Sequence, residues 1–568
     1  MNTKIQQLFA SVSNRKVKVG MRSSMKEGLV SDTPLDRAFG RKITRRQFVQ
    51  GTSGVVLSLG AMGFLQACSQ APAASGKAKT LIFARGGDIQ FLDSAFLFDG
   101  ESARTSVLMH EPLIRYKVGS DGDLEPALAE KWSVSDDGLT YTFNLRKGVK
   151  FHDGTPFNAE AVKFNYDRML PANAQPRMQA AKPVFGRTDR IETPDESTVK
   201  IILKERQGSL AIQLAGISGW IMSPTALKKY GEDYTSHPTG TGPFIFDSWD
   251  RDAQFVVKAN PEYWGGKPKL DRVILKVTKE ATVRVDQLLT GEADVITDIA
   301  PLDVARVEGG ADTAILTTPP INFAVMGFLM FRKPFDDIRV RTAVNLAINR
   351  EALVKFLYKD KGIVLDAPLP KASWAYNSDL KGFPYDPDQA KKLLTEAGYP
   401  NGFSFEALTF AQARPYCPLG MVKVGEVVQA DLKKVGLDMK LRLMPGVGET
   451  EDAAARGEGD AFFTGYFFAG DPGPIFDQIW SSSAAAPKGG NLPRYSNPEV
   501  DKLIAEALPE SDQAKRKAIY WKIQQLILAD APMVFINSYA TLRGIRKSVS
   551  GFRIQPDQFD YLWLVDKA

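Results

Sequence analysis

The chain has 568 residues, with 72 Lys and Arg against 66 Asp and Glu, 44% hydrophobic residues and two cysteines. That is length for two or more cored domains, and too few thiols for a disulfide-stapled miniprotein. Residues 1–67 hold eleven of the basic and three of the acidic residues, so the remaining 501 carry 61 basic against 63 acidic and the net +6 belongs to the leader. A near-neutral body argues against a nucleic-acid surface. The one sustained apolar run, 51–67, is shorter than the roughly 20 residues that span a bilayer, which excludes a channel.

The leader comes first in the chain. Thr44-Arg45-Arg46-Gln47-Phe48 precedes the apolar run, and an arginine pair, an aromatic two residues on and a mildly apolar stretch resemble a twin-arginine export signal. Leu65-Gln66-Ala67-Cys68 closes the run like a lipobox, so Cys68 is expected to be acylated and to begin the mature chain. The alternative is an arginine pair ahead of a buried helix. Met21 and Met25 are alternative translation starts. With Cys68 acylated, Cys417 has no evident partner and reads as buried filler. Residues 68–79, rich in Ala, Ser, Gly and Lys, have the composition of a flexible tether, and structure is expected from Thr80.

Short β-branched or aromatic runs predict strands at 81–84, 140–145, 198–203, 255–259 and 273–277. In 140–145, Tyr141, Phe143 and Leu145 alternate with polar residues; Asp153-Gly154 then turns the chain and Asn158 caps a helix running to about 170. Helices follow at 340–349, 351–358 and 387–397, the last with Asp386 as cap, Pro387 in the first turn and Gly398 after its end. Met421, Val424, Val428, Leu432 and Val435 share one face of a helix over 421–435 that Gly436 stops. A helix begins at Asn497-Pro498, and a longer one over 513–530 is halted by Pro532. The pattern is α/β, mixed in the first half and helix-rich in the second.

Several stretches together resemble the family-5 extracytoplasmic solute-binding proteins of ABC importers, which include dipeptide-, oligopeptide-, glutathione-, opine- and nickel-binding members, and the dipeptide branch is closest in motif. They are Leu128-Ala129-Glu130-Lys131-Trp132, the segment from Tyr141 through Arg146-Lys147-Gly148 to Phe157, Gly240-Thr241-Gly242-Pro243-Phe244, Asn260-Pro261-Glu262-Tyr263-Trp264, and Phe335-Asp336-Asp337-Ile338-Arg339-Val340-Arg341. The resemblance implies a two-lobed periplasmic-binding-protein fold of the large class, with an extra subdomain in the first lobe and a ligand cleft between lobes. Lobe I would comprise 80–112, 238–318 and 535–568, its extra subdomain 113–237, and lobe II 319–534. The physical content of these motifs is scaffold: Gly240 and Gly242 for tight turns, Tyr263 and Trp264 for buried area.

No His-Glu-x-x-His, Gly-x-Ser-x-Gly or Walker A pattern occurs, and His110, His152 and His237 all sit in framework stretches, so neither a catalytic nor a metal site is expected. Ala413-Arg414-Pro415-Tyr416-Cys417-Pro418 is similar to an Arg-Pro-Tyr-Asn-Pro segment of the dipeptide branch, in which the arginine grips the ligand carboxylate. Cys417 departs from the asparagine. The other reading of Arg414 is an exposed turn arginine. Gly465-Tyr466-Phe467-Phe468-Ala469-Gly470-Asp471-Pro472 resembles the segment from which peptide-binding relatives present an aspartate to the ligand ammonium, which matches Asp471; the other reading is a helix or turn cap. Tyr416, Tyr466, Phe467, Phe468 and Trp480 are candidates to line the space between these charges.

These readings converge on a lipid-anchored, extracytoplasmic receptor without cofactor, monomeric, that binds a small zwitterion, foremost a short peptide, and delivers it to ABC permease subunits by lobe closure. Receptors for an opine, glutathione or a metal chelate share the framework. An exported hydrolase is the reading from another class.

Overall fold

The computed structural model describes residues 78–97, 99–120, 123–175, 178, 181–467, 470–555 and 559–568. Arg45, Arg46, Cys68 and Phe468 lie outside the described residues.

The alternating segment forms the strand Thr140–Leu145 with Tyr141, Phe143 and Leu145 buried. It lies in a four-stranded antiparallel sheet ordered Ala129–Val134, Thr140–Leu145, Thr198–Leu203, Thr188–Asp195. Asn158 accepts the Ala161 N–H and starts the helix Ala159–Asp167, which ends before 170 because turn bonds such as Met169 N–H to the Tyr166 carbonyl, 2.9 Å, take over. This subdomain has its own core around Phe143, Tyr166 and Phe185.

The first lobe is built on a seven-stranded sheet in the order Phe244–Asp250, Gln254–Ala259, Arg272–Val277, Thr80–Arg85, Val295–Thr297, Thr541–Arg546, Thr313–Thr318. Thr80–Arg85 is flanked in parallel by Arg272–Val277 and Val295–Thr297, so the carboxyl ends of all three emerge at one edge. The second lobe is a six-stranded sheet ordered Gly362–Val364, Met533–Tyr539, Asn322–Phe328, Ala461–Phe467, Phe403–Phe410, Leu437–Met444. The chain crosses between Thr318 and Asn322 and returns at Ala540. The return expected at 535 comes later because Met533–Tyr539 stays laddered in the second sheet, with Asn537 opposite Ala324 and Tyr539 opposite Gly362.

Helix grammar explains the packing on the second sheet. Asp386 accepts the Gln389 N–H at the start of Pro387–Glu396. In Met421–Lys433, Met421, Val424, Val428 and Leu432 are all fully buried, each worth roughly 1.5–3 kcal/mol of apolar burial. The long helix Gln513–Asp530 ends where Ala531 turns left-handed ahead of Pro532. Among the described residues no helix is long and apolar enough to cross a membrane.

Two of the motifs, Gly240–Phe244 and Asn260–Trp264, meet at one place. A Cβ on Gly240 would lie 2.0 Å from the Met109 carbonyl oxygen, so only glycine lets this turn approach. Beside it, buried Glu111 accepts from the Tyr263 hydroxyl at 2.7 Å, Trp264 Nε1 at 2.8 Å and the Thr241 hydroxyl at 2.9 Å. Burial pushes the Glu111 carboxyl up, and these three donors oppose that push. Two of the three histidines are equally committed to framework. His110 is buried between Ser106 and Tyr234, and burial lowers its pKa to about 3; His152 bonds the Gly242 carbonyl at 2.9 Å and is lowered to about 4 by the same cause. His237 stacks on Tyr230 at 4.0 Å.

Candidate functional site

The lobes meet face to face. Gly208 N–H bonds the Leu508 carbonyl at 3.0 Å, and a Cβ on Gly470 would fall 2.3 Å from the Tyr116 hydroxyl. Between them lies a cavity of about 330 Å³, bounded on one side by Tyr116, Ile212 and Gln213, on the other by Phe467, Asp471 and Ile475, with Phe559 also on its wall. That is the size of a small-ligand site.

On the second lobe, Arg414-Pro415-Tyr416-Cys417 forms a tight turn: Arg414 N–H bonds the Cys417 carbonyl at 3.2 Å and Cys417 N–H the Arg414 carbonyl at 2.9 Å. Cys417 is wholly buried, and burial pushes its thiol up; the small side chain fills core. Asn537 donates to the Tyr416 carbonyl at 3.0 Å, which fixes the turn to the strand Met533–Tyr539. The Arg414 side chain is half-buried, its Nε is buried without a partner, and no carboxylate among the described residues pairs with it within 4 Å. Glu451 is the acid nearest in effect. Burial raises its carboxyl, while the Thr464 hydroxyl, donating at 2.6 Å, and the Arg414 charge oppose that rise.

Tyr416 stands beside this arginine, and Tyr466 lies within electrostatic reach of Tyr416 and Glu451. Tyr416 lies over Gly465, where a Cβ would come within 2.5 Å of its ring, and it meets Phe467 edge-on at 6.5 Å. Tyr466 packs on Phe323 at 5.4 Å, and its hydroxyl is buried with no partner. Arg414 and Tyr416 are therefore brought together, with Tyr466 linked to them through Tyr416 and Glu451; of this group Phe467, which meets Tyr416, lines the cavity.

Asp471 lies on the cavity wall, where the expectation placed it, but is already paired, whereas Trp480 does not line the cavity. Asp471 is buried and forms an ion pair with Arg516; its Oδ1 also accepts from the Tyr520 hydroxyl at 3.1 Å and from Gly473 N–H at 2.9 Å. Burial raises its carboxyl even against the Arg516 charge. An aspartate so engaged neutralises a charge of its own chain and accepts the N–H of Gly473, the first residue of the next helix. Trp480, 1% exposed, sits in the second-lobe core against Tyr495 and Phe535, because Phe476, Ile479 and Trp480 make the buried face of the helix Gly473–Trp480. Sequence reasoning missed Tyr116, Ile212, Gln213 and Phe559, which come from distant segments and share no motif. It also missed Glu451 and Thr464, which join Arg414 only through the sheet. Among the described residues no His, Cys, Asp and Glu group could hold a metal ion.

Comparison with known proteins gives this arrangement relatives. The family model for bacterial extracellular solute-binding proteins, family 5, matches residues 123–487. The chain is similar to the dipeptide-binding protein of Escherichia coli K12, 32% identical over 505 residues, 85% of this chain and 94% of that protein. It is 33% identical to the glutathione-binding protein GsiB of Pectobacterium atrosepticum over 487 residues, 84% of this chain and 92% of that one. Among solved structures, a dipeptide-binding protein from Pseudoalteromonas in complex with Met-Leu superposes with a TM-score of 0.76 at 26% identity, covering 86% of this chain and all of that chain.

Proposed function

Because the chain belongs to the bacterial extracellular solute-binding proteins of family 5, we propose that it captures a short zwitterionic peptide outside the cytoplasm and delivers it to an ABC permease without altering it. The observation that carries this reading is Arg414: a guanidinium beside Tyr416, paired with no carboxylate of its own chain among the described residues. Two parallel N–H donors match a carboxylate, and Pro415 stiffens the turn that aims them. Ligand contacts to both lobes favour the closed state over the open one, and the permease reads the closed shape. Micromolar affinity requires a net of about −8 kcal/mol, within reach of a desolvated charge contact plus backbone hydrogen bonds after the closure cost. Calorimetry with Met-Leu and with glutathione tests the reading. Binding at micromolar or tighter affinity, with the peptide recovered intact, supports it; no binding of either removes the peptide class.

The leader completes the proposal. Arg45 and Arg46 direct folded export, and Cys68 carries the lipid that holds the monomer at the membrane. Cys68→Ala should give a protein without acyl mass that leaves the membrane fraction, read by mass spectrometry and fractionation. Unchanged membrane retention would assign the anchor elsewhere.

A further inference from the structure

Gly208 brings the extra subdomain against the second lobe. It follows the strand Thr198–Leu203 of the four-stranded sheet and precedes the short helix Leu210–Leu214. Its N–H bonds the carbonyl of Leu508, which ends the helix Pro498–Ala507 of the second lobe, and a Cβ on Gly208 would fall 1.8 Å from the Glu510 carbonyl oxygen. The Gly208 backbone is not left-handed, so alanine is free of local strain there and glycine is required only by the approach of the other lobe. Gly470, near the Tyr116 hydroxyl, is different, since its φ of 77° calls for glycine whatever the lobes do.

Neither side of the contact is a loose loop. The Gln207 carbonyl accepts the Tyr141 hydroxyl at 2.9 Å, and the buried Gln207 side chain donates to the Pro183 carbonyl at 3.1 Å and to Gln213 Oε1 at 2.6 Å. Opposite, Leu508 N–H bonds the Ile504 carbonyl at 3.1 Å, and the Glu510 carboxylate accepts Asp512 N–H at 2.8 Å ahead of the next helix. Among the described residues the four-stranded sheet shares no strand with the second sheet. A clash at Gly208 is therefore relieved by moving lobe against lobe.

The contact adjoins the cavity on both sides. Ile212 and Gln213, just beyond Gly208, line it from the helix Leu210–Leu214. Ile475 lines it from the helix Gly473–Trp480, whose first residue lies against Leu508: a Cβ on Gly473 would sit 3.9 Å from Leu508 Cδ2. The cavity, about 330 Å³, is at the low end for a small-molecule site.

We infer that the Gly208–Leu508 contact is a latch that sets the upper size of the ligand: a dipeptide fits the cavity with the latch made, whereas a longer peptide holds the lobes apart and forfeits it. Gly208 is then a specificity residue that acts through closure, because closed-state contacts add to the apparent affinity only of a ligand that permits them. The inference rests on the peptide reading above.

Calorimetry with Met-Leu and with the tetrapeptide Met-Leu-Met-Leu tests it. Wild type should prefer the dipeptide by more than about tenfold. Gly208→Ala and Gly208→Val should each lose about tenfold or more for Met-Leu and stay within about twofold of wild type for the tetrapeptide, with the thermal midpoint unchanged. Small-angle scattering should show wild type contracting on saturation with Met-Leu and both variants contracting less. Gly100→Ala, where the new Cβ meets Arg104 only at an ordinary 3.8 Å, should change neither affinity. Wild type that binds both peptides alike overturns the inference while the peptide reading stands. So does Gly208→Ala with undiminished Met-Leu affinity, with equal losses for both peptides, or with a lowered thermal midpoint, which would make Gly208 a packing residue. Absence of Met-Leu and glutathione binding to wild type removes the peptide reading and the inference with it.

Discussion

Replacing Arg516 by methionine should destabilise the protein by about 3–5 kcal/mol, because it leaves the buried Asp471 carboxylate without its cation. The Tyr520 hydroxyl and Gly473 N–H would remain as donors, but neither carries a charge. Asp471, already raised by burial, would then fold neutral, at the cost of taking up a proton near pH 7. The double variant Asp471→Asn with Arg516→Met should recover most of the loss, since it removes both charges together. Urea denaturation followed by circular dichroism reads both. A cost under about 1 kcal/mol for Arg516→Met would mean that the pair does not hold Asp471, and would return that residue to the ligand.

Arg414→Ala should weaken Met-Leu binding by well over tenfold, a loss of about 2–5 kcal/mol, while leaving stability nearly unchanged. The second half of that expectation follows from the structure, where the Arg414 side chain holds no hydrogen bond or ion pair among the described residues. Lysine at this position should fall between, because an ammonium lacks the two parallel donors. The C-terminal amide of Met-Leu supplies the second arm. Its affinity should be low for wild type and should not fall further in Arg414→Ala, the coupling that a direct contact with the carboxylate requires. Equal losses for acid and amide would make Arg414 a wall residue.

The scaffold was legible because its signals are local. Asn158, Asp386 and Gly436 announce helix ends by chemistry that acts within a few residues, and each serves where its spacing placed it. The glycine and aromatic motifs carry packing constraints, seen in how Gly240 approaches Met109 and in how Tyr263 and Trp264 converge on Glu111. The site was legible only in part. Arg414 and Tyr416 meet because one tight turn carries both, and that turn lies over Gly465 of the strand Ala461–Phe467, which the motifs implied. The Gly-Asp-Pro pattern could not reveal that Arg516, 45 positions on, already neutralises Asp471. Trp480 illustrates the same limit: aromatic residues near a site motif pack inward whenever the helix they sit on buries that face.

The central claim is that the cleft holds a short peptide by its free carboxylate on Arg414. Mass spectrometry of small molecules released from protein purified without refolding tests it most directly. The account predicts a stoichiometric amount of short peptide with both termini unblocked. A bound solute lacking a free carboxylate, whether a sugar, a bare metal ion or a blocked peptide, would contradict it.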